Sequence, residues 1–427
     1  MDIEIWGPVD DSYTFQEITE AYHKIYPNIK TVKYRKFSSD TYKKELLDAL
    51  ASGQGPDIFL IHNTWLPSFS DKIVPSPVNI INEQKFKDNF VDVAITDFFD
   101  QGKVWASPLS VDSLALYYNK DLFNEAGISS PPKDWNEFAK YSQLLTKQSS
   151  GGEIIQSGAA LGTAYNINRS TDIINLLMMQ SGAQKNDKGV LDLRTSRVTS
   201  GDNYLPAVDA LNFYTQFSQA TSPYYSWNPR LHYSIDAFSE GTLAMMFNYS
   251  WHIATIKDKS PKLNFAISSV PQYSGTMPTN FANYWGFAVA KNKIPAQGVT
   301  NDQRVEQSWK FIDFLTTKPT QQFSSSGGTL GGGAVDPNFD PAKKYIEKTR
   351  KPSARRDLIE TQKTDAELSA FAKDNLIARS WKEFDPEAIE NILAEMIDQV
   401  NRGQASVSSA VETANQRIQQ FGNDKLK

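Results

Sequence analysis

The chain contains no cysteine, so disulfide bridges, thiolate metal centres and cysteine nucleophiles are excluded. Histidine is scarce: His23, His62, His232 and His252 are the full complement of four. No run approaches the roughly 20 apolar residues of a membrane-spanning helix. No signal segment precedes the strand-like opening Ile3–Trp6. A mature exported domain given a start methionine would begin this way, and so would a cytoplasmic protein. No block of Lys and Arg stands out against a net charge of −5, so a nucleic-acid partner is not expected. Catalytic signatures are missing too. Gly331-Gly332-Gly333 lacks the following Lys-Ser/Thr of a phosphate-binding loop, and there is no Gly-x-Ser-x-Gly elbow and no His-Glu-x-x-His. Acidic pairs such as Asp10-Asp11 would suit a glycosidase, whose two carboxylates stand about 5–10 Å apart. With 49 Asp and Glu such pairs are commonplace, and they decide nothing alone.

What is present fits a globular α/β protein. A chain of 427 residues exceeds one ordinary core and predicts two domains. Apolar residues make up 40% and aromatics 12%, enough for two filled cores and for a site that stacks flat ligands on rings. The opening reads strand–helix–strand–helix–strand. Ile3–Trp6 is a short strand; Phe15, Ile18, Tyr22 and Ile25 share a helical face ended by Pro27; Thr14-x-x-Glu17 suggests a capping box. Val32 and Tyr34 alternate as in a half-buried strand. Tyr42, Leu46, Leu47 and Leu50 mark a second helix closed by Gly53. The run Ile58-Phe59-Leu60-Ile61 suits a central parallel strand covered on both faces. Helices between parallel strands imply right-handed crossovers and a doubly wound sheet.

Beyond residue 107 the pattern predicts strands at Val111–Asn119, Leu243–Phe247, Phe265–Val270 and Trp285–Ala290. Helical periods fall at Trp135/Phe138/Tyr141/Leu145, Ile173/Ile174/Leu177 and Leu205/Val208/Leu211/Tyr214. Segments 149–152, 183–203 and Gly327–Gly333 read as loops. The last hundred residues read as helical, ending in an amphipathic helix with Val407, Val411, Ala414 and Ile418 on one face.

Five segments, in order, resemble the solute-binding proteins of ATP-driven importers, in the branch that includes maltose-binding protein. They are Ile5-Trp6-Gly7 with its acidic pair; Gly53-Gln54-Gly55-Pro56-Asp57-Ile58-Phe59; Pro108-Leu109-Ser110-Val111-Asp112 through Tyr117-Tyr118-Asn119-Lys120-Asp121-Leu122-Phe123; Phe238 to Gly241 with Ala244-Met245-Met246 and Ser250-Trp251; and Pro352-Ser353-Ala354-Arg355-Arg356-Asp357. Tyr249-Ser250 stands where the family usually has a glycine. The resemblance implies an α/β, two-lobed type II periplasmic-binding-protein fold with discontinuous domains. Each lobe would be a mostly parallel sheet flanked by helices, one from 1–109 plus 264–315 and the other from 110–263 plus 316–427.

The implied function is capture of a sugar or oligosaccharide by hinge closure and delivery to an ABC transporter membrane permease. The protein would be a non-enzymatic, extracytoplasmic monomer, lipid-anchored in full length, using no cofactor and no metal. A glycosidase, or a binder of a polyamine or glycerophosphodiester, is the alternative. Sugars need rings against their C–H faces and Asp, Asn or Arg on their hydroxyls. The resemblance and the strand ends together nominate Trp6, Asp10, Asp11, Asn63, Trp65, Ser110, Asp112, Tyr165, Asn166, Trp227, Trp251, Tyr284, Trp285, Arg379 and Trp381. One of Asp10 and Asp11 is expected to cap the first helix, and one of Tyr284 and Trp285 to lie in the core. Arg355 and Arg356 are expected in structural ion pairs.

Overall fold

The computed structural model describes residues 1–187, 189–199, 202–319, 336 and 338–424. The chain forms two compact units, Met1–Val111 with Asn283–Thr364, and Asp112–Ala282 with Asp365–Lys427. Gly327–Gly333 lies outside the described residues.

The first unit opens as the pattern requires: β1 (Asp2–Gly7), α1 (Ser12–Ile25), β2 (Thr31–Lys36), α2 (Ser39–Ser52) and β3 (Ile58–His62). Both helices bury their periodic face, Phe15, Ile18 and Tyr22 in α1 and Tyr42, Leu46 and Leu50 in α2. Gly53 ends α2 at φ 72°, where a side chain would be strained, and returns its N–H to Ala49 and Leu50. The strand order is β2-β1-β3, then Trp285–Ala290, then Ile73–Val74. β1 runs parallel to β2 and β3, with Ile5 opposite Tyr34 and Ile58. Asp57 ties the first and third strands together. Its carboxylate accepts the Glu4 N–H at 2.9 Å and faces Lys293 and Arg304 at 3.6 and 3.7 Å. Gly7 must be glycine for space, because a Cβ there would stand 2.3 Å from Leu60 Cδ1 and Tyr34 Oη.

The second unit has a five-stranded sheet in the order Phe265–Ser268, Ala115–Asn119, Leu243–Asn248, Ile154–Ala159, Lys147–Gln148. All six residues of Leu243–Asn248 are buried. Helices Trp135–Leu145, Ser170–Ser181 and Pro206–Thr215 pack here with the C-terminal pair Pro386–Asn401 and Val407–Asp424. Ser170–Gln180 is buried on every side, which explains an apolar run lacking a polar face.

Several expectations are corrected. The sheets are mixed rather than mostly parallel. Trp285–Ala290 runs antiparallel to β3, and in the five-stranded sheet of the second unit only Ile154–Ala159 and Leu243–Asn248, among the described residues, pair in parallel. Trp285–Ala290 and Ala115–Asn119 follow crossings of the chain from one unit to the other, so no helix crossover dictates their direction. The boundaries also differ. Residues 265–268 extend the second sheet beside Ala115–Asn119, whereas Pro341–Thr349 packs on α1 and Tyr345 donates to Asp10 at 2.8 Å. The capping box at Thr14 does not form: α1 starts at Ser12, and Asp11 holds the cap position without a side-chain cap bond because its carboxylate pairs with Lys36 at 3.0 Å. The 183–203 loop contains two short hairpins, Gln184–Lys185 with Leu191–Asp192 and Arg197–Thr199 with Asp202–Tyr204.

Candidate functional site

In open α/β sheets, ligands sit beyond the carboxyl ends of parallel strands. Here the first unit places Trp6 at the end of β1, Asp10 and Asp11 after that strand, and Asn63 and Trp65 after β3. Trp6 is nearly buried; its indole N–H donates to Glu4 Oε1 at 2.8 Å, and the Arg35 guanidinium lies 5.3 Å above its ring. Asp10 adopts φ 63°, a left-handed conformation Asp tolerates better than most residues. It accepts Lys351 Nζ at 2.5 Å and the Tyr345 hydroxyl at 2.8 Å. Tyr345 also bonds Ser110, which is half-buried and bridges to Ser353. Asp11, by contrast, is exposed.

Asn63 and Tyr284 are both buried. They bond each other through the backbone, and both side chains donate to the buried Asp97, at 3.2 and 2.8 Å. Trp285, opposite His62 in the sheet, is the partly exposed member of the pair. Its ring meets Trp65 edge-on at 5.2 Å, and Trp65 stacks on Phe69 at 5.1 Å. Tyr42 supports both, with its hydroxyl 2.8 Å from the Leu60 carbonyl. The unit thus presents a rigid aromatic corner beside the Asp10–Tyr345–Lys351 cluster's strand end.

The second unit repeats this logic after the parallel pair of its five-stranded sheet. Tyr165 and Asn166 follow Ile154–Ala159, and Trp251 follows Leu243–Asn248. Trp251 is 40% exposed and stacks on the fully buried Tyr249, centroids 4.5 Å apart at 18°. The Asp112 carboxylate is buried and accepts the Ser250 N–H at 3.0 Å and its hydroxyl at 2.5 Å, which fixes the backbone just before Trp251. Beneath Tyr249 lies Asp172, whose Oδ2 accepts the Tyr249 hydroxyl at 2.7 Å and Arg169 at 2.8 and 2.6 Å. Burial would lower the Arg169 pKa, but Asp172 and Tyr249 raise it overall, so the cation is secure. His252 is pushed down to about 4, by burial first and by Arg169 second, and is neutral at pH 7.

The remaining nominees fall differently. Tyr165 is 63% exposed. Asn166 is consumed by its loop, accepting Thr163 Oγ1 and the Trp227 indole N–H and donating to the carbonyls of Asn228 and Leu231. Trp227 and Trp381 are buried, the latter donating to Asn175 at 3.2 Å. Arg379 is exposed and contacts the Met277 sulfur. Sequence reasoning passed over Arg169, Asp172, Tyr249 and the 41%-exposed Tyr233. The usable signal was Tyr249, at a position where a glycine was expected. Among the described residues no cluster of His, Asp and Glu is arranged to hold a metal ion, and no helix is long and apolar enough to cross a membrane.

Two discontinuous α/β units with their polar and aromatic groups at strand ends define the two-lobed type II solute-binding fold. The chain belongs to the bacterial extracellular solute-binding protein family, whose profile matches residues 6–322. Among its relatives are a binding protein of Brucella abortus, 25% identical over 74% of this chain and 72% of that protein. Another is the maltooligosaccharide ABC transporter solute-binding lipoprotein of Streptococcus pneumoniae, 26% identical over 74% and 68%. Similar structures include the sugar-binding protein MalE of Xanthomonas citri, with TM-score 0.72, 19% identity and 99% and 97% of the two chains covered. A cyclo/maltodextrin-binding protein complexed with maltotetraose gives TM-score 0.71, 17% identity and 98% and 96% coverage.

Proposed function

We propose that this chain captures a sugar or oligosaccharide outside the cytoplasm and hands it to an ABC transporter permease, without catalysing a reaction on it. The observation that carries the reading is Trp251: a half-exposed indole, stacked on buried Tyr249 and anchored through Ser250 to Asp112. A preorganised ring of this kind suits the C–H face of a pyranose. Relatives named for maltotriose and maltooligosaccharides make an α-linked glucan the first ligand to try. In this proposal Asp10, Ser110, Trp65 and Trp285 from the first unit and Trp251, Tyr165 and Tyr233 from the second contact the ligand. The units close on it by flexing near residues 111–112, 282–283 and 364–365, where the chain passes between them. Closure can be driven only by the difference in ligand affinity between open and closed states. Asp112, held by Ser250, positions Trp251 in this account rather than serving as an acid or base.

Trp251→Ala is expected to weaken maltotriose binding about tenfold, since an aromatic platform contributes on the order of 1 kcal/mol or more. Trp227→Phe, at a buried ring, should change it little. Titration calorimetry of the two variants checks this, and equal affinity for Trp251→Ala and the parent protein removes Trp251 from the site. Chromogenic glycosides should remain intact; turnover abolished by Asp112→Asn would favour the glycosidase reading.

A further inference from the structure

We propose that Asp172 and the Tyr249 hydroxyl form a positioning device that sets the tilt of Trp251 before ligand arrives. The inference rests on the sugar-binding reading and extends it to residues that touch no ligand. Three layers build the device. Arg169 occupies a left-handed conformation, φ 63°, immediately before the buried helix Ser170–Ser181, which turns its guanidinium back onto Asp172. The same guanidinium lies 5.6 Å from the centroid of the Tyr249 ring. Tyr249 is clamped at its hydroxyl by Asp172 at 2.7 Å and offers its ring face to Trp251 at 4.5 Å.

The physical logic is preorganisation. An exposed indole has several rotamers, and a ligand must select one of them, which costs affinity. A buried tyrosine held at both ring and hydroxyl gives the indole one favoured resting plane. Asp172 suits the task because one oxygen, Oδ2, receives Arg169 twice and Tyr249 once, so the tyrosine hydroxyl is bound to a carboxylate that is itself immobile. Tyr117 strengthens the arrangement from the far side, donating its hydroxyl to the Tyr249 carbonyl at 2.7 Å. On the indole side, the His252 ring lies 6.0 Å from that of Trp251, and the Asn168 amide reaches His252 Nε2 at 3.0 Å. Asp172 and Tyr249 are therefore positioning residues, and their effect should pass through Trp251 alone.

Tyr249→Phe is the variant of choice, because it keeps the ring stack and leaves Asp172 paired with Arg169, whereas Asp172→Asn disturbs a buried ion pair and risks the fold. A double-mutant cycle of Tyr249→Phe and Trp251→Ala, titrated with maltotriose, gives the first test. The expected result is about fivefold weaker binding for Tyr249→Phe in the parent background and no further loss once Trp251 is alanine. Unchanged affinity for Tyr249→Phe, or the same fivefold loss in both backgrounds, overturns the proposal. The second test needs no ligand. In protein carrying 5-fluorotryptophan, the fluorine resonance assigned to Trp251 through Trp251→Phe should shift or broaden in Tyr249→Phe while the other resonances hold. A Trp251 resonance unaltered by Tyr249→Phe sinks the inference even if sugar binds. A resonance that moves while no sugar binds to the parent protein upholds the device and condemns the sugar reading.

Discussion

Replacing Arg355 by Met should lower the unfolding free energy of the protein by about 3–5 kcal/mol. The guanidinium is buried, with 1% of its side chain exposed. It makes a fork to Asp357, at 2.9 Å to each oxygen, and a second fork to Asp340, at 3.0 and 2.6 Å. It also donates to the Thr317 carbonyl at 3.1 Å. Asp340 in turn caps the helix Pro341–Thr349 by accepting the Lys343 N–H. Burial works to raise the Asp357 pKa, but Arg355 holds it below the usual carboxylate range overall. Methionine would fill much of the volume yet strand two carboxylates, an orphaned backbone carbonyl and a helix cap. The neighbouring Arg356 is the control: it pairs with Asp92 at the surface, and Arg356→Ala should cost no more than about 1 kcal/mol. Urea denaturation followed by tryptophan fluorescence and circular dichroism measures both. An Arg355→Met midpoint no lower than that of Arg356→Ala would refute the structural role.

The second large effect is a pair of opposed pH dependences within the second unit. Asp374 is buried and accepts the Val270 N–H at 3.2 Å and the Asn280 amide at 2.9 Å. Burial outweighs these bonds and pushes its pKa from 3.8 up to about 6. Between pH 3.8 and 6 the folded protein therefore keeps a proton that the unfolded chain has released. Asp374 thus costs stability as pH rises through that window, by about 3 kcal/mol in all. His252 has the reverse sign. Burial and Arg169 take it from 6.5 down to about 4, so below pH 6.5 the unfolded chain binds a proton that the folded protein refuses. Stability then falls as pH falls, by about 2 kcal/mol with allowance for partial exposure. The two slopes overlap and oppose each other between pH 4 and 6. Relative to the parent, Asp374→Asn should become more stable as pH rises from 4 to 6, and His252→Gln more stable as pH falls from 6.5 to 4. Denaturation curves at a series of pH values read both differences, and parallel curves for variant and parent would contradict the assignments.

Much of the first unit was legible because its determinants are local. Phe15, Ile18 and Tyr22 fall at helical spacing, Gly53 marks a helix end, and Ile58–Ile61, four apolar residues bounded by turns, suits a covered strand. Gly53 to Phe59 was read as a family segment, and the structure supplies its physics: a C-cap at Gly53 and a buried Asp57 that ties β3 to β1. Strand direction was less legible. Trp285–Ala290 carries the same apolar pattern whether it runs with β3 or against it, and the answer depends on where the chain crosses between units.

The candidate site divides the same way. Trp227 and Trp251 each lie in a loop among polar residues, so local pattern cannot separate them. One is sealed by packing and by its bond to Asn166, and the other stands on Tyr249 and stays 40% exposed. Asp172 and Tyr249 lie 77 positions apart, and no spacing rule could join them. Thr14 failed as a cap because α1 already begins at Ser12, and the cap position falls to Asp11, whose carboxylate pairs with Lys36 from β2.

Sugar capture itself is tested most directly by calorimetric titration of the unaltered protein with maltose through maltoheptaose. The expected result is saturable binding of one ligand per chain for at least one member of the series. A negative heat-capacity change should accompany it as rings are buried. Heats indistinguishable from dilution across the whole series, in a sample whose fold is confirmed by circular dichroism, would contradict it.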